Sequence, residues 1–144
     1  MDIVYFAKLY ATEKHHGQKR INGDDYINHP IKVGDLVKKY KESHNIKRLI
    51  AAAYLHDVLE DTNATYYDLV ETFGYDIASL VREVTTNEEM KNAIGKEKYL
   101  AYELNHMTNW ALVIKLCDRL HNVSELNLIN KRFRNNYINE TKFI

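Results

Sequence analysis

The chain has a single cysteine, Cys117, in 144 residues. No disulfide can form within it, and no cluster of thiolates can hold zinc. Cys117 stands among Val113, Ile114 and Leu120, the surroundings of a small core side chain rather than of a nucleophile. Proline occurs once and glycine five times, so turn signals are scarce. Neither sign of charge is in excess, since 20 Lys and Arg face 20 Asp and Glu. That balance argues against a nucleic-acid backbone or an anionic membrane as the main partner, and leaves small anionic ligands open. No apolar run approaches the roughly 18 to 20 residues of a membrane span, and the start "MDIVYFAKLYATEKHHG" lacks the features of a signal peptide. These absences predict a soluble, cytoplasmic protein whose residues 1–144 fold as one domain.

What is present is helical periodicity. Apolar residues recur at spacings of three and four along most of the chain, which predicts an all-α fold. A first helix is expected from about Asp2 to His15, with Val4, Leu9 and Ala11 among its apolar positions, followed by the polar loop "HGQKRINGDDYIN". Pro30 suits the first turn of a second helix, "HPIKVGDLVKKY". A third, "IKRLIAAAYLHDVLED", is expected to run unbroken. Thr65 caps a short helix that Gly74 ends, and "DIASLVREVT" forms the next. The stretch "TNEEMKNAIG" has no clear period. A helix follows from Lys96 to about His106, then "NWALVIKLCDRLHNVSEL" with Trp110, Val113, Ile114, Cys117 and Leu120 on its apolar face. The terminal "NKRFRNNYINETKFI" has an amphipathic pattern.

Carboxylates at core positions are the anomaly. On the third helix His56 lies on the stripe that begins at Leu49, Asp57 below Ile50 and Glu60 below Ala53, so all three are expected to face inward. Asp118 repeats the pattern, one turn after Ile114. Buried carboxylates require a compensating cation. Lys115 and Arg119 lie beside the Asp118 stripe rather than on it, and a divalent metal explains more: His56, Asp57 and Asp118, joined by His29 from the rigid "YINHP" turn, make a mixed nitrogen and oxygen site. Such a set favours Mn²⁺, Fe²⁺ or Zn²⁺ over Ca²⁺ and Mg²⁺. Glu60 and Asp61, one turn beyond the His56-Asp57 pair, are placed to act on a water at the metal as general acid or base. The other histidines, His15, His16, His44, His106 and His121, are expected at the surface or behind the ligands.

The ordered segments "HHGQKRINGDDYINHP", "YLHDVLEDT" and "KLCDRLHN", with "FGYDIASLVREVT" between the last two, resemble the HD-domain superfamily. The closer likeness is to the alarmone hydrolase domain of RelA/SpoT proteins and their small stand-alone relatives. The resemblance implies an all-α HD helical bundle that binds Mn²⁺ through His29, His56, Asp57 and Asp118. It implies catalysis by Glu60 and Asp61, with removal of pyrophosphate from the 3′ position of guanosine tetra- and pentaphosphate. It further implies that Arg20 packs on the guanine and that Asn122 lies near the ribose or phosphate. Ile21, Ser124 and Glu125 depart from the family pattern and reduce the positive charge around the polyphosphate. The same chemistry on another nucleotide, NADPH or a deoxynucleotide, is the alternative substrate reading; a non-hydrolysing nucleotide-binding domain is the alternative class. The resemblance also implies a C-terminal helical layer shorter than the family's, which is expected to leave an apolar face for pairing with a second copy.

Overall fold

The computed structural model describes residues 2–125. Among these residues the chain forms nine helical segments and no strand beyond one isolated bridge between Lys19 and Asp25. In order they are α1 (Ile3–Lys14), α2 (Asn28–Tyr40), α3 (Ile46–Tyr54), α4 (Val58–Asp61), α5 (Tyr66–Phe73), α6 (Tyr75–Val84), α7 (Glu88–Ile94), α8 (Lys96–His106) and α9 (Asn109–Ser124). The all-α expectation holds, and "TNEEMKNAIG" becomes α7, started by the Asn87 side chain accepting from Met90 N. The terminal amphipathic stretch lies outside the described residues.

Helix α3 is the hub. It packs against α1, α2, α6 and α9, and every residue from Leu49 to Tyr54 is buried. The three consecutive alanines, Ala51 to Ala53, let those neighbours approach on all sides. Leu49 of α3 and Leu55, Leu69, Ile114, Val33 and Val37 in the same core are fully buried, each worth about 1.5–3 kcal/mol in apolar surface removed from water. Helix α2 lies tight against α3 at Gly34, where a Cβ would lie 2.2 Å from the Tyr54 ring. The Tyr54 hydroxyl then donates to Asp35 Oδ1 at 3.0 Å, locking the same pair of helices.

Several expectations need correction. The third helix is not continuous. It stops at Tyr54, passes through a tight turn at Leu55 to Asp57, and resumes as α4. Inside the turn the bonds shorten from four residues to three, with His56 N to Ala53 O at 3.3 Å and Val58 N to Leu55 O at 3.0 Å, the pattern of a 3₁₀ turn. Glu60, placed beyond this break, is exposed rather than inward. Leu9 and Leu120 are also exposed, at 48% each. On α9 the inward stripe is Ala111, Ile114, Cys117 and His121, and Leu120 falls outside it with Leu116 and Val123.

Candidate metal centre

Three segments converge at one end of α3. His29 comes from the first turn of α2, which is fixed by the hydrogen bond of His29 N to Tyr26 O at 3.0 Å. His56 and Asp57 come from the turn between α3 and α4, and Asp118 from the middle of α9. His29 and His56 are 2% and 5% exposed, and the Asp57 and Asp118 carboxylates are mostly covered. His29 Nε2 lies 2.7 Å from Asp118 Oδ1 and 3.7 Å from Asp57 Oδ2. His56 Nε2 lies 3.1 Å from Asp57 Oδ2 and 3.5 Å from Asp118 Oδ1. Two imidazole nitrogens and two carboxylate oxygens therefore face one small volume, as the sequence pattern anticipated.

These atoms fit a divalent cation on three counts. First, each imidazole is held from behind. His56 Nδ1 is 2.7 Å from Ala53 O, a carbonyl that can only accept, so Nδ1 carries a proton and Nε2 is the nitrogen turned toward the carboxylates. His56 Nε2 has no hydrogen-bond partner although it is buried. Second, the field demands positive charge. Burial pushes His56 toward the neutral form, but the Asp57 and Asp118 carboxylates outweigh it and raise His56 well above the usual range. Burial pushes the two carboxyls up; the imidazoles reverse this and hold Asp57 below, and Asp118 well below, the ordinary carboxylate value. A proton stands where a metal would supply the same charge. Third, there is room. His56, Asp57, Glu60, Thr86, Lys115 and Asp118 border a cavity of about 50 Å³, enough for an ion with a few waters but not for a nucleotide.

The acidic pair stands beside this volume, and carboxylate oxygens of Asp57, Glu60 and Asp61 all lie within 4.8 Å of one another. Glu60 Oε1 accepts from Thr86 N at 2.8 Å, which aims its carboxylate. Crowding by protein atoms, then the negative charges of Asp57 and Glu60, push the Asp61 carboxyl up to about 6. A carboxyl near 6 exchanges protons readily close to neutral pH.

Arg20 and Asn122, 102 residues apart, are neighbours: Arg20 Nη2 donates to Asn122 Oδ1 at 2.9 Å. Asn122 Nδ2 in turn lies 3.3 Å from Asp118 Oδ1. The polar loop is thus an ordered excursion, turned at Gly23 (φ 92°), which brings Arg20 to the rim of the carboxylate cluster.

Several participants escape a reading of periodicity. The Tyr26 hydroxyl reaches Asp57 Oδ2 at 2.8 Å and Asp61 Oδ2 at 3.0 Å; a tyrosine in a polar loop gives no signal of this. Lys115, beside the Asp118 stripe, enters the cavity wall and pairs with the buried Glu103 at 3.2 Å. Burial alone would lower the Lys115 pKa, but Asp118 and Glu103 raise it. His15, 1% exposed, lies 3.0 Å from Gln18 Oε1, and Gln18 Nε2 donates to Asp61 O at 2.6 Å. His121 is buried against His29, with Nδ1 atoms 2.7 Å apart. His16, His44 and His106 are exposed.

Residues 7–144 match the family model described as an HD domain. The chain belongs to the HD-domain family. Among its relatives, a guanosine-3′,5′-bis(diphosphate) 3′-pyrophosphohydrolase of Danio rerio is 35% identical over 120 residues, covering 82% of this chain and 66% of that one. The bifunctional (p)ppGpp synthase/hydrolase SpoT of Escherichia coli is 34% identical over 142 residues, covering 94% of this chain and 20% of SpoT. A GTP pyrophosphokinase rsh of Brucella melitensis is 35% identical over 136 residues, covering 89% of this chain and 18% of that protein. This HD domain therefore spans about a fifth of the length of the bacterial relatives. A solved metazoan ortholog of SpoT that hydrolyses ppGpp superposes with a TM-score of 0.84 at 28% identity, over 99% of this chain and 83% of that one. Among the described residues no helix is long and apolar enough to cross a membrane.

Proposed function

We infer that this HD domain is a metal-dependent guanosine-3′,5′-bis(diphosphate) 3′-pyrophosphohydrolase, folded as a single unit over 1–144. The observation that carries the reading is the convergence of two imidazole nitrogens and two carboxylates beside an acidic pair, in a chain whose relative from Danio rerio bears that activity in its name. His29, His56, Asp57 and Asp118 would hold the ion, and their mixed donor set suits Mn²⁺, with Fe²⁺ and Zn²⁺ as alternatives. A divalent cation there lowers the pKa of water and neutralises a phosphoryl oxygen.

The remaining chemistry falls to side chains. Glu60, aimed by Thr86 N, and Asp61, poised near 6, take the proton from the attacking water. Its oxygen bonds to the phosphorus carried on O3′, and the bond from that phosphorus to O3′ breaks. Pyrophosphate departs, and O3′ leaves as a hydroxyl with a proton returned by the acidic pair. Arg20 offers a planar guanidinium for stacking on the guanine, and Asn122 a side-chain amide for the ribose or phosphate.

The test is an assay of the purified protein with Mn²⁺ against ppGpp, NADPH and common nucleotides, with products resolved by anion exchange. GDP plus intact pyrophosphate from ppGpp alone is the expected result, abolished by chelation. A second reading, the same chemistry on another nucleotide such as NADPH, draws on Glu125, which holds Arg20 Nε at 2.9 Å and adds negative charge to the rim. Turnover of NADPH in preference to ppGpp would establish that reading instead.

A further inference from the structure

Behind His29 a line of hydrogen bonds runs through two residues that the proposed chemistry does not use. His29 Nδ1 lies 2.7 Å from His121 Nδ1, His121 Nε2 lies 2.8 Å from Glu125 Oε1, and Arg20 Nε donates to Glu125 Oε2 at 2.9 Å. The direction of every proton in this line follows from its far end. Arg20 is always a donor and a carboxylate only accepts, so His121 must carry its proton on Nε2 to meet Glu125. A neutral His121 then presents a lone pair at Nδ1. His29 must answer with Nδ1–H, so the ring atom left for a cation is Nε2, whose proton to Asp118 Oδ1 at 2.7 Å the ion would displace.

We propose that Glu125 is a positioning residue that, through His121, fixes His29 in the one tautomer able to ligate a metal. The inference rests on the metal-site reading above and assigns roles to residues outside the ligand set. Ligating histidines work best when the second ring nitrogen is held by an oriented partner, and loss of such a partner costs about 10-fold to 100-fold in metal affinity. Glu125 differs from an ordinary partner because it acts through a second imidazole, so reversing one donor reverses the whole line. Its other oxygen also ties the line to Arg20, so the metal face and the rim share one carboxylate.

Glu125→Gln tests this without changing side-chain shape. The amide has one acceptor oxygen, and the Arg20 guanidinium claims it, so the NH₂ faces His121 and turns the proton line around. Apo-protein freed of metal by chelation is titrated with Mn²⁺, and the free ion is read by electron paramagnetic resonance, with circular dichroism confirming helix content. Glu125→Gln is expected to weaken Mn²⁺ binding about 10-fold. Arg20→Met/Glu125→Gln is expected to recover the affinity of Arg20→Met alone, because the amide oxygen is then free to turn toward His121. Wild-type affinity in Glu125→Gln overturns the proposal, as does a double variant as weak as Glu125→Gln alone, which would point to lost charge instead of proton direction. A wild-type protein that binds no Mn²⁺ overturns the metal site and this inference together, whereas Mn²⁺ binding without ppGpp turnover overturns only the substrate assignment.

Discussion

The Tyr26 hydroxyl lies 3.0 Å from Asp61 Oδ2 and, on its other side, 2.8 Å from Asp57 Oδ2. A phenol has one proton to give. When it donates to Asp57, the contact with Asp61 is a hydrogen bond only if Asp61 carries a proton of its own. One hydroxyl thereby links a carboxylate proposed to hold the ion with one proposed to move protons.

Tyr26→Phe keeps the ring and removes that link. The Asp57 carboxylate loses its orienting donor, so Mn²⁺ affinity is expected to fall about 10-fold with helix content unchanged. Calorimetric titration of the apo-protein measures it, and undiminished affinity would remove Tyr26 from the site's support.

Asp61 sets the expected pH dependence. Its carboxyl is raised to about 6 by crowding and by Asp57 and Glu60, and as a base it works only when ionised. Turnover should therefore fall as pH drops through that value. A bound cation adds positive charge and shifts the limb to or below about 6. Asp61→Asn should lose this limb and about 10² to 10⁴ in kcat, while binding Mn²⁺. A kcat profile whose acid limb survives in Asp61→Asn would place the titration elsewhere.

Asp118→Ala removes the carboxylate nearest His29, and Mn²⁺ binding is expected to vanish. The same contrast appears in thermal melts. An ion that binds only the folded chain stabilises it by about 2.7 kcal/mol at a concentration 100 times its Kd. The wild-type Tm should rise with Mn²⁺ and return on chelation, whereas that of Asp118→Ala should not move.

Gly34→Ala tests the frame that carries His29. The added methyl would meet the Tyr54 ring, and the overpacking should cost about 1–3 kcal/mol in stability. Denaturant unfolding measures the loss. Combining it with Tyr54→Leu, which clears the space, should give less destabilisation than the sum of the two single variants.

Periodicity placed His56, Asp57 and Asp118 correctly on inward faces, because a polar residue at a core position stands out against Leu49, Ile50 and Ile114. For His56 and Asp57 the outcome agreed although the geometry assumed did not. A straight helix was expected, whereas the three-residue hydrogen bonds after Tyr54 re-aim both side chains. Glu60, beyond that turn, lost the inward position that an unbroken helix gives it. Tyr26 and Gln18 were not legible, since their roles depend on contacts between segments 31 and 43 residues apart that no local period encodes; Lys115 was weighed only as a charge beside Asp118, and its pairing with Glu103, 12 residues away, was not foreseen. His121 was recognisable only as a residue at the surface or behind the ligands; its partnership with His29 spans 92 residues.

The turn after α3 divides the candidate site into a local half and a distant half. The backbone at His56 and Asp57 is set by bonds within a few residues of itself, and of the two side chains Asp57 takes its orienting donor, Tyr26, from further away. His29 and Asp118 meet them only when chain loops of 27 and 61 residues have closed, and loop closure carries its entropy cost before any contact repays it. A cation bound by all four side chains would act as a clasp on those loops, and its affinity would be a gauge of tertiary closure for the whole helical frame.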